Sequence, residues 1–217
     1  MISLENLEPK EGYFGQFSTD LLVELYFPGV KDGCCVEVGA SNGTRGSNTL
    51  FFEKLGWRTL CIEPNPKYVD IIRETRKEVV SCACGERDEQ DVPFTIFDIG
   101  KRNIMSSVSG LRPDKRLVDE HRDIINDKYE IKVNVKSLDT ILTENSFSKE
   151  IDFISIDTEG TELDVLKGLS LDKWDVTLLV IENNYNDSDI SAYMSKHGYF
   201  KDARWKHNDF YRKVSKL

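Results

Sequence analysis

Apolar residues fall in short unbroken runs along much of the chain, separated by stretches where they recur every three or four positions. The runs at Cys34–Val38, Arg58–Ile62, Val79–Ala83, Asp152–Ile156 and Val176–Ile181 have the pattern of strands buried on both faces, as in parallel sheets. Between them, residues 47–55, 66–76, 138–142, 161–168 and 189–196 carry helical spacing. Pro66 in a first turn, and Gly56, Gly168 and Gly198 past last turns, mark their ends. Upstream, Phe14, Phe17, Leu21, Leu22 and Leu25 predict a helix over 13–27, with Ser18 or Thr19 as a cap. Residues 199–205 and 209–213 read as a closing hairpin, hence an antiparallel edge. Strands alternating with helices predict an α/β sheet with helices on both faces.

The pattern is weaker over 85–135. Phe94–Phe97 and Ile131–Val135 read as strands, and residues 112–128 hold five basic and five acidic side chains. That density of mixed charge predicts a solvated helix or surface segment, or else a lid folding over a substrate. Residues 100–130 are therefore taken as an insertion between the third and fourth core strands, and 1–33 as a helical lead-in. No repeat or linker divides the 217 residues, so one domain is expected over 1–217.

The net charge of −9 leaves no basic excess to neutralise phosphates, so no nucleic-acid partner is expected. No apolar run reaches membrane-spanning length and no signal-like segment opens the chain, which predicts a cytoplasmic protein. The five cysteines, Cys34, Cys35, Cys61, Cys82 and Cys84, lack metal-type spacing and are expected as buried free thiols.

The candidate chemistry starts at the first strand. Glu37-Val38-Gly39-Ala40-Ser41-Asn42-Gly43 is a strand end running into a glycine turn, and Glu63 ends the next strand 24 positions after Gly39. An acid about 20 residues beyond such a turn binds ribose hydroxyls. Ser41 occupies the place of the second glycine that a pyrophosphate needs, and no Gly-Lys-Ser/Thr follows. Glu37 would repel a phosphate and attract an ammonium or a sulfonium. The expected ligand is therefore S-adenosylmethionine, an adenosine with both cations, rather than NAD. Glu37, Gly39, Ala40, Ser41 and Gly43 would face its amino-acid end. Glu63, beside Pro64, would hold the ribose, Ala83 and Cys84 would border the adenine, and Asn48 would add a polar contact.

Several segments together resemble the FkbM-type methyltransferases, a branch of the class I S-adenosylmethionine-dependent fold. They are Gln16 to Asp20, Gly39 to Gly43, Ser47-Asn48-Thr49 with Glu53, Gly56-Trp57, and Ile62-Glu63-Pro64. Further along come Asp157-Thr158-Glu159-Gly160-Thr161-Glu162 with Val165 to Gly168, then Glu182, Gly198-Tyr199 and Asn208-Asp209. Thr19 departs from the family's second N-terminal glutamine, and 112–128 lies outside the likeness. The resemblance implies a single Rossmann-like class I domain with a mostly parallel seven-stranded sheet. It also implies methylation of a hydroxyl, with sugars or glycans among the acceptors.

Asp157, Glu159 and Glu182 are the candidate catalytic acids, since a sugar hydroxyl needs help to become a nucleophile. Asp157 ends a buried strand, and Glu159 is expected to open the next helix, where an acid suits the dipole. Asp157, Glu182 and Asn183 are a candidate Mg²⁺ set, similar to the arrangement in catechol-type methyltransferases. Ser106, Ser107 and His207 are candidate acceptor contacts. The competing readings are a nitrogen or other small-molecule acceptor, and a non-catalytic cofactor-binding scaffold.

Overall fold

A computed structural model describes residues 10–98 and 109–214. The main sheet has seven strands in the order β3 (Val79–Val80), β2 (Arg58–Ile62), β1 (Cys34–Val38), β7 (Glu150–Ile156), β8 (Asp175–Glu182), β10 (Asn208–Lys213), β9 (Tyr199–Trp205). The first five run parallel, and β10 is antiparallel to both neighbours. Strand order reverses between β1 and β7, where ligands bind in sheets of this kind.

Register makes the strand ends converge. Val38 pairs with Ile62 on one side and Ile156 on the other, and Ile156 pairs with Ile181. Gly39, Glu63, Asp157 and Glu182 therefore leave the sheet at one level, although they are far apart in sequence.

Side-chain alternation splits the core into two layers. Val36, Val38, Ile154, Ile156, Leu179 and Ile181 pack under α5 (Leu138–Glu144), α6 (Glu162–Lys167) and α7 (Ser188–Lys196). On the other face, Cys35, Phe153, Leu178 and Val180 pack under α1 (Thr19–Glu24) and α2 (Leu50–Lys54). Ile72 of α3 (Pro66–Thr75) closes on Ala40 and Cys61.

Four elements differ from the sequence pattern. The lead-in helix begins at Thr19 rather than 13, because Phe17 and Ser18 take left-handed backbone (φ 55° and 60°). Helix α2 begins at Leu50, because Ser47, Asn48 and Thr49 all donate hydrogen bonds to Glu37. The run 79–83 divides, with β3 in the main sheet and β4 (Ala83–Cys84) pairing elsewhere. The irregular region becomes a second sheet, ordered β4, β6 (Asp127–Lys136), β5 (Glu89–Asp98), and α4 (Lys115–Glu120) lies within the β5–β6 connection.

All five cysteines are buried and unpaired. Among the described residues no helix is long and apolar enough to cross a membrane.

Candidate active site

The glycine turn is shaped by its neighbours. Gly39 has φ 82°, and a Cβ there would lie 1.8 Å from the Asp157 carbonyl, so only glycine fits beside the end of β7. Gly43 packs against Ile72 and Arg76 and is not among the residues that line the cleft.

Glu37 reaches the cleft wall, but its carboxylate is already engaged. It accepts from Ser47 Oγ (2.7 Å), Thr49 Oγ1 (2.8 Å), the Asn48 amide (2.6 Å) and Arg76 Nη1 (3.3 Å). Arg76 also donates to Glu53 (3.0 Å) and to the Gly43 carbonyl (2.7 Å), and Thr59 donates to Glu53. Burial works against the Arg76 charge, yet the Glu37 and Glu53 carboxylates hold the guanidinium more basic than usual. The negative charge expected to draw a cationic ligand is thus shared with Arg76. The network pins the glycine turn to α2 and α3.

Asn48 completes this wall. Its Nδ2 donates to Ser155 Oγ (2.9 Å), while its Oδ1 is buried without a hydrogen-bond partner. That oxygen is shut off from solvent and packs close to Gly15. Glu63 accepts from the Ser41 and Asn65 amides, both at 2.8 Å. Burial raises its carboxyl to about 7, against the lowering effect of those two amides. Ala40, Ser41, Pro64, Ala83 and Cys84 line the same cleft. Gln16, Arg45, Tyr68 and Phe94 also line it. Sequence reasoning did not assign them to the ligand, because the lead-in, α3 and the second sheet reach the cleft only through tertiary packing.

Asp157, Glu159 and Glu182 come together, each offering an oxygen within 4.8 Å of the others. Among the described residues no lysine or arginine is paired with them. Burial raises Asp157 to about 6, and burial followed by the Asp157 charge raises Glu159 and Glu182 well above the carboxylate range. The hydrogen bond between Asp157 and Glu182 favours the ionised form of the first and the protonated form of the second.

Helix α6 starts at Glu162, so Glu159 does not open it as expected. Glu159 sits in the preceding turn with φ 61°. Glu162 holds that turn, its Oε1 accepting from the Thr158 amide (2.9 Å), Thr158 Oγ1 (3.0 Å) and the Gly160 amide (3.1 Å).

The remaining candidates lie elsewhere. Asn183, expected as a metal ligand, has its amide drawn away: Nδ2 donates to the Asp187 carbonyl and to Asp209, and Oδ1 accepts from the Asp187 amide. Glu159 takes the third place in the acid cluster. His207 is exposed on the β9–β10 turn, its ring 5.7 Å from that of Phe17, and it lines neither hollow at the strand ends. Ser106 and Ser107 fall outside the described residues.

The sheet order, the glycine turn at its switch point and an acid ending β2 define a class I S-adenosylmethionine-dependent methyltransferase domain. The chain belongs to the FkbM methyltransferase family: the methyltransferase FkbM domain model matches residues 37–201. The curated relative "Methyltransferase 1" of Beauveria bassiana (strain ARSEF 2860) is 34% identical over 82 residues, covering 38% of this chain and 30% of that protein. Similar solved structures include precorrin-6Y C5,15-methyltransferase from Geobacter metallireducens GS-15, at 12% identity and TM-score 0.43 over 97% of this chain and 94% of that one. M. capricolum TrmK in complex with S-adenosylhomocysteine gives 11% identity and TM-score 0.41 over 92% and 68%.

Proposed function

We propose that the chain transfers the methyl group of S-adenosylmethionine to a hydroxyl of a sugar or glycan. The observation that carries this reading is the cluster of Asp157, Glu159 and Glu182, three acids without a basic partner among the described residues, at the level where Gly39 and Glu63 leave the sheet. Bound S-adenosylmethionine would supply an electrophilic methyl on a sulfonium. Glu63 would accept from its ribose hydroxyls, and Ala83, Cys84 and Phe94 would enclose the adenine. Asp157 would take the proton of the acceptor hydroxyl as its oxygen attacks that methyl, with S-adenosylhomocysteine as the leaving group. Five unpaired cysteines support a reducing, cytoplasmic setting.

A second reading places a divalent cation on the same acids. Three carboxylate oxygens within 4.8 Å suit a hard cation such as Mg²⁺. One experiment tests both readings: transfer of labelled methyl from S-adenosylmethionine to a panel of methyl hexosides, with and without EDTA. Labelled product in chelator is the outcome expected if Asp157 acts as a base alone. Loss of product, restored by Mg²⁺, assigns the acids to a cation. Folded protein that binds no S-adenosylmethionine in calorimetry overturns the whole reading.

A further inference from the structure

A second hollow of about 270 Å³ adjoins the cofactor cleft, and Glu159 lines both. One wall is the loop after β8, and the other is the charged segment around α4.

That segment is tied down as a strap. At its base, the Asp114 amide donates to the Glu159 carbonyl (3.1 Å), and Arg112 is paired with Asp164. Gly160 has φ 120°, and a Cβ there would stand 2.9 Å from the Asp114 amide, so the turn carrying Glu159 is cut to fit the strap. Across the hollow, Arg116 donates to both Asp187 oxygens (3.1 and 2.6 Å) and to Asp114 (2.6 Å). The same guanidinium lies 3.9 Å from the Tyr185 ring centre, and Tyr185 Oη donates to Glu120 (3.1 Å). A fork on a carboxylate with a stacked ring is specific in geometry. Arg116 and Asp187 are each about half exposed (49% and 50%), so the contact adds little to global stability and opens at small cost.

Arg116 is the sole basic side chain on the wall among the described residues, and its charge is committed to Asp114 and Asp187. Both of those carboxyls are held below the usual range, chiefly by the Arg116 hydrogen bonds. Glu159 and Glu182 complete an acidic surround. A phosphate or carboxylate on an acceptor would meet Asp114, Glu162, Asp187 and Asp189 there, and a guanidinium already held by two of them, whereas hydroxyls and amines find acceptors.

We propose that this hollow is the acceptor site, latched by Arg116 of the strap, and that it takes neutral or amine-bearing hydroxylated acceptors while refusing phosphorylated ones. The proposal rests on the methyltransferase reading above.

The test compares wild type, Arg116→Ala, Asp187→Ala and the double variant. Labelled transfer is measured to methyl hexosides and to the matching hexose phosphates. The wild type should prefer the neutral sugar by at least about tenfold in kcat/KM. Each single variant should raise the acceptor KM several-fold, with S-adenosylmethionine affinity unchanged by calorimetry. The double variant should be no worse than either single one, as for two halves of one latch. A preference for the phosphate, an unaltered KM or additive losses overturns the proposal. Hydrogen exchange of amides 115–124 reads the latch without turnover: Arg116→Ala should speed it, and unchanged exchange removes the latch. Failure of wild type to bind S-adenosylmethionine counts against the parent reading instead.

Discussion

Two groups of carboxylates, one buried and one partly buried, behave in opposite ways. Glu37 and Glu53 surround Arg76, whose side chain is fully buried, and their oxygens are occupied by hydroxyls, amides and the guanidinium. Among the described residues Asp157, Glu159 and Glu182 have no such cation, and burial raises all three carboxyls, Glu159 and Glu182 the most. The first group is satisfied from within and sets the shape of the glycine turn. The second is left unsatisfied beside a cleft, the condition under which acids take part in chemistry. A buried acid alone therefore says little; the presence or absence of its cation separates scaffold from site.

The sharpest way to break the contrast is to make the first group resemble the second. Arg76→Ala leaves two acids buried without a partner and should cost about 3–5 kcal/mol in urea unfolding. A loss below about 1 kcal/mol would show that the guanidinium does not hold the network.

The converse change acts on activity and spares the fold. Asp157→Asn should lower methyl transfer at least about 10²-fold. Its unfolding midpoint should stay level or rise, because a poorly solvated carboxylate is replaced by a neutral amide. An undiminished single-turnover rate would clear Asp157 of the proton transfer.

The smallest effect sharpens the comparison at Glu63, which belongs to neither group. Its carboxyl is raised to about 7 from an ordinary 4.5. A raised acid stabilises the fold most below the ordinary value, and that contribution is lost as pH climbs through about 7. Ribose binding uses the ionised form and runs the other way. S-adenosylmethionine affinity should be level above about 7 and fall by up to about tenfold per unit below it. Glu63→Gln should weaken binding roughly ten- to a hundredfold and flatten that dependence. A wild-type affinity independent of pH would move the ribose elsewhere.

Much of the fold was legible because period and burial agree. The five parallel strands carry continuous apolar runs, and their helices end where Pro66 and Gly168 mark them. The lead-in was misjudged because Phe17 and Leu25 keep helical spacing yet remain 42% and 46% exposed. The second sheet was only partly legible: the N-terminal part of β5 and most of β6 are exposed, so no apolar run betrays them.

By itself the sequence determined the glycine turn, the acid ending β2 and the acids after β7 and β8, because backbone freedom and strand-end position are local properties. The tertiary structure decided which acids have a cation and which do not. Arg76 reaches Glu37 from 39 positions away, and Arg116 reaches Asp187 across 71. Charge pairing depends on distance in space, and no local pattern encodes it.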